Sequence, residues 1–260
     1  MPVFTSSAAQ GHPNLIDLMT TDRVGASEFY AGLFGWEYFS VPMPGASPLI
    51  TATQGGERVA VISEEPVFLV EEGVPPQWQV YLQVDDLATA AGRIEAAGGT
   101  ILAPFATHMG STQILVAEDP CGAAVSFRNV VGDGDTRVED EPGALGWLEL
   151  VAEDYESTFD FYREIAGLGT TTMPMGDGQP AYTLFTAGTE SVAGAWPPTS
   201  PGTHPHWRVY FEVENLDATL AIARSLGAEL ADDPAAAPGV GRWAVLNDPQ
   251  GAEFALLQPE

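Results

Sequence analysis

The chain contains no lysine: all nine of its basic residues are arginines, set against 36 carboxylates for a formal net charge of −27. Without a lysine amine there is no Schiff-base chemistry by that group. A surface so strongly anionic repels phosphate backbones, which argues against a nucleic-acid partner. Cysteine is nearly absent as well. Cys121 stands alone, so an internal disulfide framework is excluded, and a reducing cytoplasm is the expected setting. Its place in a DP-x-G turn reads as a tolerated turn residue rather than a nucleophile. No apolar run approaches the roughly 20 residues that span a bilayer, so no membrane is expected. The first residues, MPVFTSSAAQGHPN, lack the basic start and apolar block of a secretory signal. Apolar residues make up 45% of the chain, enough for a real core.

What the chain does contain is itself, twice. ASEFYAGLFGW (from Ala26) matches TFDFYREIAGLG (from Thr158) around the Phe-Tyr pair. WQVYLQVDDL (from Trp78) matches WRVYFEVENL (from Trp207), and DPCGAAVSF (from Asp119) matches DPQGAEFAL (from Asp248). The three pairs share a near-constant spacing of about 130 residues, the mark of two tandem modules. The expected organisation is a first module over 1–130, a polar Gly/Asp-rich linker over 131–143 and a second module over 144–260.

Each module opens on an alternating strand, NLIDLMT or GWLELVA. An acid then stands where a helix needs an N-cap, Asp22 or Asp154. Ala26, Phe29, Tyr30 and Leu33 fall at i, i+3, i+4 and i+7, one buried helical face, repeated by Thr158, Phe161, Tyr162 and Ile165. Short strands follow, then a Pro-rich loop, the W-x-V-Y strand, a second helix and a final hairpin closed by DP-x-G. The predicted fold is α+β: tandem βαβββ modules, four units in all, forming curved mixed sheets around a cavity.

This order, with FY…LFGW, VDDL and DPxG at these places, resembles the vicinal-oxygen-chelate superfamily of glyoxalase I, bleomycin-resistance proteins and extradiol dioxygenases. More narrowly it resembles the two-module actinobacterial glyoxalase-like type, some members of which accompany antibiotic pathways. The resemblance covers nearly the whole chain. It implies a metal ligand on the first strand of each module, a second on the W-x-V-Y strand and a glutamate on the closing strand. Those places hold Leu15 and Trp147, Gln79 and Arg208, and Ser126 and Ala255. Divalent first-row ions need several N, O or S donors converging at roughly 2 Å, so no metal and no other cofactor is expected. The pair His204 and His206 is separated by Pro205 and reads as a polar loop. His12 lies in the N-terminal arm and His108 in a Gly-flanked loop.

Strand alternation puts other side chains on the faces of those positions. The expected ligand-binding set is Gln79, Tyr81, Ser126, Arg128, Trp147, Glu149, Arg208 and Tyr210, suited to a flat organic molecule with hydroxyl or carbonyl groups. Asp17 and Glu149 occupy matching places on apolar strands. Either pairs with Arg128 or Arg208, or one serves as a general base. Trp78 and Trp207 point to the opposite face, into the core. The Pro-rich loops EEPVFLVEEGVPPQ and PPTSPGTHPH read as surface connections or as rims over the ligand. The favoured function is metal-independent binding of a small aromatic or polycyclic metabolite by a monomer or homodimer. The rival is a glyoxalase-like lyase or isomerase, or an oxygenase-associated enzyme, using a cavity carboxylate as base.

Overall fold

The computed structural model describes residues 9–42, 47–108, 112–130, 141–175 and 181–260, and positions 131–140 of the expected linker lie outside them. Four βαβββ units follow one another. The first is strand β1 (Pro13–Thr20), helix α1 (Arg23–Phe34) and strands β2 (Glu37–Val41), β3 (Leu49–Gln54) and β4 (Glu57–Glu64). After a short helix, α2 (Val67–Glu72), come β5 (Gln77–Gln83), α3 (Leu87–Ile94), β6 (Thr100–His108), β7 (Thr112–Glu118) and β8 (Ala124–Arg128). The third unit is β9 (Leu145–Val151), a 3₁₀ turn (Tyr155–Thr158) running into α4 (Phe159–Ala166), then β10 (Gly169–Met173), β11 (Tyr182–Ala187) and β12 (Glu190–Trp196). The fourth is β13 (His206–Glu212), α5 (Leu216–Ser225), β14 (Glu229–Leu230), an additional short strand β15 (Ala235–Ala237), β16 (Gly241–Asn247) and β17 (Glu253–Pro259).

Each pair of units makes one mixed sheet, ordered β2-β3-β4-β1-β5-β8-β7-β6 in the first half and β10-β11-β12-β9-β13-β17-β16-β14 in the second, with β15 on β16. The units meet at the antiparallel pairs β1–β5 and β9–β13. Beside these, β1 runs parallel to β4 and β5 parallel to β8, and the second sheet repeats both pairings. A bulge interrupts both central pairs at matching places, next to Asn14 and Gly146, where the extra residue sharpens the local twist.

The helix-bearing faces of the two sheets share one core. Ile16, Trp78, Val80 and Phe127 of the first half pack with Leu148, Trp207, Phe211 and Phe254 of the second. Two hydrogen-bonded relays cross that seam and explain why the FY, W-x-V-Y and DP-x-G motifs recur together. Trp78 Nε1 donates to the Tyr30 hydroxyl at 3.1 Å, which donates to Asp248 Oδ2 at 3.2 Å. Trp207 Nε1 donates to the Tyr162 hydroxyl at 3.0 Å, which donates to Asp119 Oδ2 at 2.8 Å. Each aspartate therefore belongs to the opposite half from its tyrosine. Its other oxygen holds its own turn, accepting from Cys121 N and Ala123 N, or from Gln250 N and Ala252 N. The turn glycines, Gly122 and Gly251, take φ of 96° and 99°, a left-handed geometry that favours glycine.

Three local expectations need correction. Asp22 caps α1 by accepting from Gly25 N at 2.9 Å, but Asp154 makes no side-chain cap bond, because a 3₁₀ turn is inserted ahead of α4. The first Pro-rich loop is not wholly irregular: α2 forms within it and closes on Gly73 in the left-handed conformation. His108 ends strand β6 rather than lying in a loop. Among the described residues no helix is long and apolar enough to cross a membrane.

Candidate functional site

The face of each sheet turned away from the shared core carries its own cluster. In the first half Leu15, Val61, Tyr81 and Ile114 pack together, with Leu49 and Val116 beside them. In the second half the cluster is Trp147, Tyr210, Val245, Ala255 and Leu257, with Tyr182, Leu184, Val240 and Trp243. The sequence-derived site residues thus fall on two separate outer faces, one per sheet. Trp78 and Trp207 lie in the shared core.

On the second face Glu149 is surrounded by donors. The Tyr182 hydroxyl donates to its Oε1 at 2.8 Å; the Tyr210 hydroxyl and Arg208 reach its Oε2 at 2.9 and 3.2 Å. Arg208 also donates through Nε to Glu253 Oε1 at 2.7 Å, and His206 Nε2 meets the same oxygen at 2.7 Å. Arg208 is opposite Glu149 in the β9–β13 register, so one guanidinium bridges two carboxylates. Burial opposes its charge, but Tyr210, Glu253 and Glu149 hold its pKa above the usual arginine value. Burial also favours the neutral form of Glu253, yet the His206 hydrogen bond and the Arg208 charge hold that carboxyl down at about 2. Tyr182 was not singled out from the sequence. It lies across Gly194, where an added Cβ would stand 1.9 Å from the tyrosine oxygen. That glycine is the only signal for it, legible once the pairing of β11 and β12 is known.

The first face solves the same geometry differently. Asp17 sits opposite Gln79 across β1–β5, and Tyr81 opposite Ser126 across β5–β8. The Ser63 hydroxyl donates to Asp17 Oδ2 at 2.9 Å and Tyr81 lies at 3.4 Å from the same atom. Asp17 Oδ1 and Gln79 Nε2 are fully buried with no hydrogen-bonding partner among the described residues. Burial pushes the Asp17 carboxyl up to about 7, despite the Ser63 and Tyr81 hydroxyls. Arg128, 1% exposed at the end of β8, is pushed down to about 9, first by burial and then by the charge of Arg58.

Neither face fits a divalent ion. Leu15, Gln79 and Ser126 on one, and Trp147, Arg208 and Ala255 on the other, supply no carboxylate, imidazole or thiolate at the places the fold would use. The carboxylates of the second face are already held by a cationic side chain. Among the described residues no three His, Cys, Asp or Glu side chains are grouped to hold a metal. An open groove of 510 Å³ lies elsewhere, at the seam, where Cys121 of the first DP-x-G turn faces Asp154, Ser157 and His204. Its cysteine is engaged with the Asp154 carbonyl at 2.9 Å, and burial raises its pKa.

Two mixed sheets of tandem βαβββ units, each with an outer face built around the same three positions, define the vicinal-oxygen-chelate class of fold. Within that class the chain belongs to the Glyoxalase/Bleomycin resistance protein/Dioxygenase superfamily, whose model matches residues 144–256, while that of the Glyoxalase-like domain matches 15–127. It is 38% identical over 98% of its length to "Putative glyoxylase CFP32" of Mycobacterium tuberculosis, 97% of which is covered. It is 32% identical over 96% of its length to "Anthracycline biosynthesis protein DauV" of Streptomyces sp. strain C5, 94% of which is covered. Among solved structures, a Mn(II)-bound glyoxalase from Novosphingobium aromaticivorans superimposes with a TM-score of 0.65 at 14% identity, covering 96% of this chain and 82% of that one. The 2,3-dioxygenase LapB from Pseudomonas sp. KL28 gives 0.63 at 14% identity, over 97% and 93%. These last two likenesses speak to the fold.

Proposed function

We propose that the protein binds a small aromatic or polycyclic metabolite without a metal ion, as a carrier or sequestering protein. The observation that carries this reading is the donor set. All six positions at which the superfamily's fold would present metal ligands hold side chains unsuited to the task, and one of them is an arginine that bridges two carboxylates. The Tyr81 ring beside the polar groups of Asp17 and Gln79 suits a flat molecule with hydroxyl or carbonyl substituents. Likeness to a protein named for anthracycline biosynthesis supports a polycyclic ligand. The acidic charge and single cysteine favour a small-molecule partner, a cytoplasmic setting and a monomer or homodimer. Titration with an anthracycline or another fused-ring aromatic, followed by tryptophan fluorescence, should give saturable quenching unchanged by a chelator. Absence of saturation with every such compound sinks the proposal, as does stoichiometric Zn²⁺, Ni²⁺ or Mn²⁺ binding by calorimetry.

One observation favours an enzyme instead: Asp17, with its carboxyl near 7, has the protonation balance of a general base at neutral pH. In that case the chain is a glyoxalase-like lyase or isomerase, or an oxygenase-associated enzyme, acting through this carboxylate. Glu149 is the poorer candidate, since three side chains already donate to it. Turnover of a methylglyoxal–thiol hemithioacetal, abolished by Asp17→Asn, would establish this second reading over the first.

A further inference from the structure

We infer that the two outer faces have divided their roles: the first, through Asp17 and Gln79, binds a donor–acceptor edge of the ligand, a phenolic or enolic hydroxyl beside a second oxygen, while the second is an internally satisfied structural face. The inference rests on the binding reading above and assigns it a face and a ligand chemistry.

A buried polar atom without a partner is costly in proteins, so such atoms are few and call for an explanation. Among the described residues the first face holds Ser126 Oγ and, as a pair opposed across β1–β5, Asp17 Oδ1 and Gln79 Nε2, the last two on residues that are 6% and 2% exposed. Of that pair one accepts and the other donates. A ligand hydroxyl that donates to Asp17 Oδ1, next to an oxygen that accepts from Gln79 Nε2, would satisfy both at once. Leu15, Val61, Tyr81 and Ile114 pack together on the same face, and the apolar remainder of a flat molecule would lie against them.

Among the described residues the second face has no such unpartnered pair. Glu149 receives Tyr182, Tyr210 and Arg208, and Glu253 receives His206 and Arg208. The Tyr182 hydroxyl also accepts from Trp147 Nε1 at 3.0 Å, so the ring is pinned over Gly194 from both sides. A ligand there would have to break existing bonds before making its own. At the place of Arg208 the first face carries the neutral Gln79, so the residue opposite Asp17 brings no positive charge to its carboxylate.

The test uses 2,3-dihydroxynaphthalene, whose neighbouring hydroxyls offer one donor and one acceptor, and its dimethyl ether, which keeps the frame and loses the donors. Calorimetry on the full chain should show the diol binding about tenfold tighter than the ether, the equivalent of one hydrogen bond. Asp17→Ala and Gln79→Leu should each cost the diol about tenfold, while Tyr182→Phe leaves its affinity within about twofold. Equal binding of diol and ether by the unmodified chain overturns the proposed recognition, and does so even if a variant fails to fold. Loss on Tyr182→Phe with retention in both first-face variants overturns the assignment of the face. Failure of the diol alone, with polycyclic quenching intact, overturns this inference and spares the binding reading. Failure of both ligand types removes the two together.

Discussion

Asp17 and Glu149 begin from the same place in a repeated frame and end in opposite electrostatic states. Each sits on the central strand of its sheet, facing outward, with a tyrosine of the neighbouring strand donating or close to donating to it. Around Glu149 the favourable interactions dominate: Arg208 is held above its usual pKa and Glu253 below its own, so the partly buried charges stabilise one another. Around Asp17 burial dominates: the carboxyl rises and Arg128 falls, the direction expected where desolvation exceeds local compensation. One substitution accounts for much of the contrast, since Gln79 on β5 stands where β13 carries Arg208. A duplicated frame can thus keep its shared core nearly symmetric while its two outer faces take separate tasks.

The sharpest way to break the contrast is to remove the bridging guanidinium. Arg208→Met strands Glu149 in a buried setting and Glu253 in a half-buried one, and should lower unfolding stability by about 3 kcal/mol, the low end of the usual cost of breaking a buried ion pair from one side. Arg128→Met removes a cation that burial already disfavours, and its loss should be clearly smaller. Urea titrations of the two variants compare them directly. Equal losses would mean that the first face is as well compensated as the second.

The carboxylates should also respond oppositely to pH. The Asp17 pKa is raised from 3.8 to about 7, so between these values the unfolded chain is ionised while the folded one keeps its proton. Stability from this group therefore declines as pH rises through that window, and the full cost is present above pH 7. Asp17→Asn should gain about 2–3 kcal/mol at pH 8 and little near pH 4, somewhat less than the shift alone implies because the amide must also be accommodated. Glu253 behaves in the reverse sense: its folded pKa of about 2 lies below 4.5, so its stabilisation is present at neutral pH and lost as pH falls through that interval. Thermal unfolding of Asp17→Asn and Glu253→Gln across pH 3 to 8 should give curves of opposite slope relative to the parent chain.

Gly194→Ala probes how firmly the second face is closed. Its Cβ would collide with the Tyr182 hydroxyl, which must swing away and release Glu149 and Trp147. The expected loss is about 1–3 kcal/mol, typical of overpacking. A loss below about 0.5 kcal/mol would show that Tyr182 is replaceable and the face less fixed than its hydrogen bonds imply.

Much of the frame is legible in the sequence, because it rests on short-range periodicity. The i, i+3, i+4, i+7 face of Ala26–Leu33 is the buried face of α1, and Phe161, Tyr162 and Ile165 lie on that of α4, with Thr158 buried in the 3₁₀ turn before it; strand alternation separates Trp78 and Trp207 from Gln79 and Arg208. What escaped depends on long-range geometry. Tyr182 acquires its place only from the pairing of β11 with β12, and Gly194 becomes meaningful only beneath it. The pairing of Glu149 with Arg208 was one of two options left open by the sequence, and register across β9–β13 decides it. That Asp119 and Asp248 reach tyrosines of the opposite half was likewise invisible, although the motifs that supply them were the clearest in the chain.

Those crossed relays give the smallest and most symmetric prediction. Tyr30 and Tyr162 are fully buried, and each hydroxyl accepts from a tryptophan and donates to an aspartate of the other half. Phenylalanine keeps the ring packing and deletes both bonds, leaving an indole N–H and a carboxylate oxygen unmatched. Each aspartate retains its turn bonds through the other oxygen, which limits the damage. Tyr30→Phe and Tyr162→Phe should therefore each cost about 1–2 kcal/mol by chemical denaturation, and by nearly the same amount. The 3.2 Å and 2.8 Å bonds to Asp248 and Asp119 place any small excess on Tyr162. Equality here, beside inequality at Arg208 and Arg128, would locate the divergence of the two halves in their outer faces. A loss confined to one tyrosine would instead carry the asymmetry into the shared core.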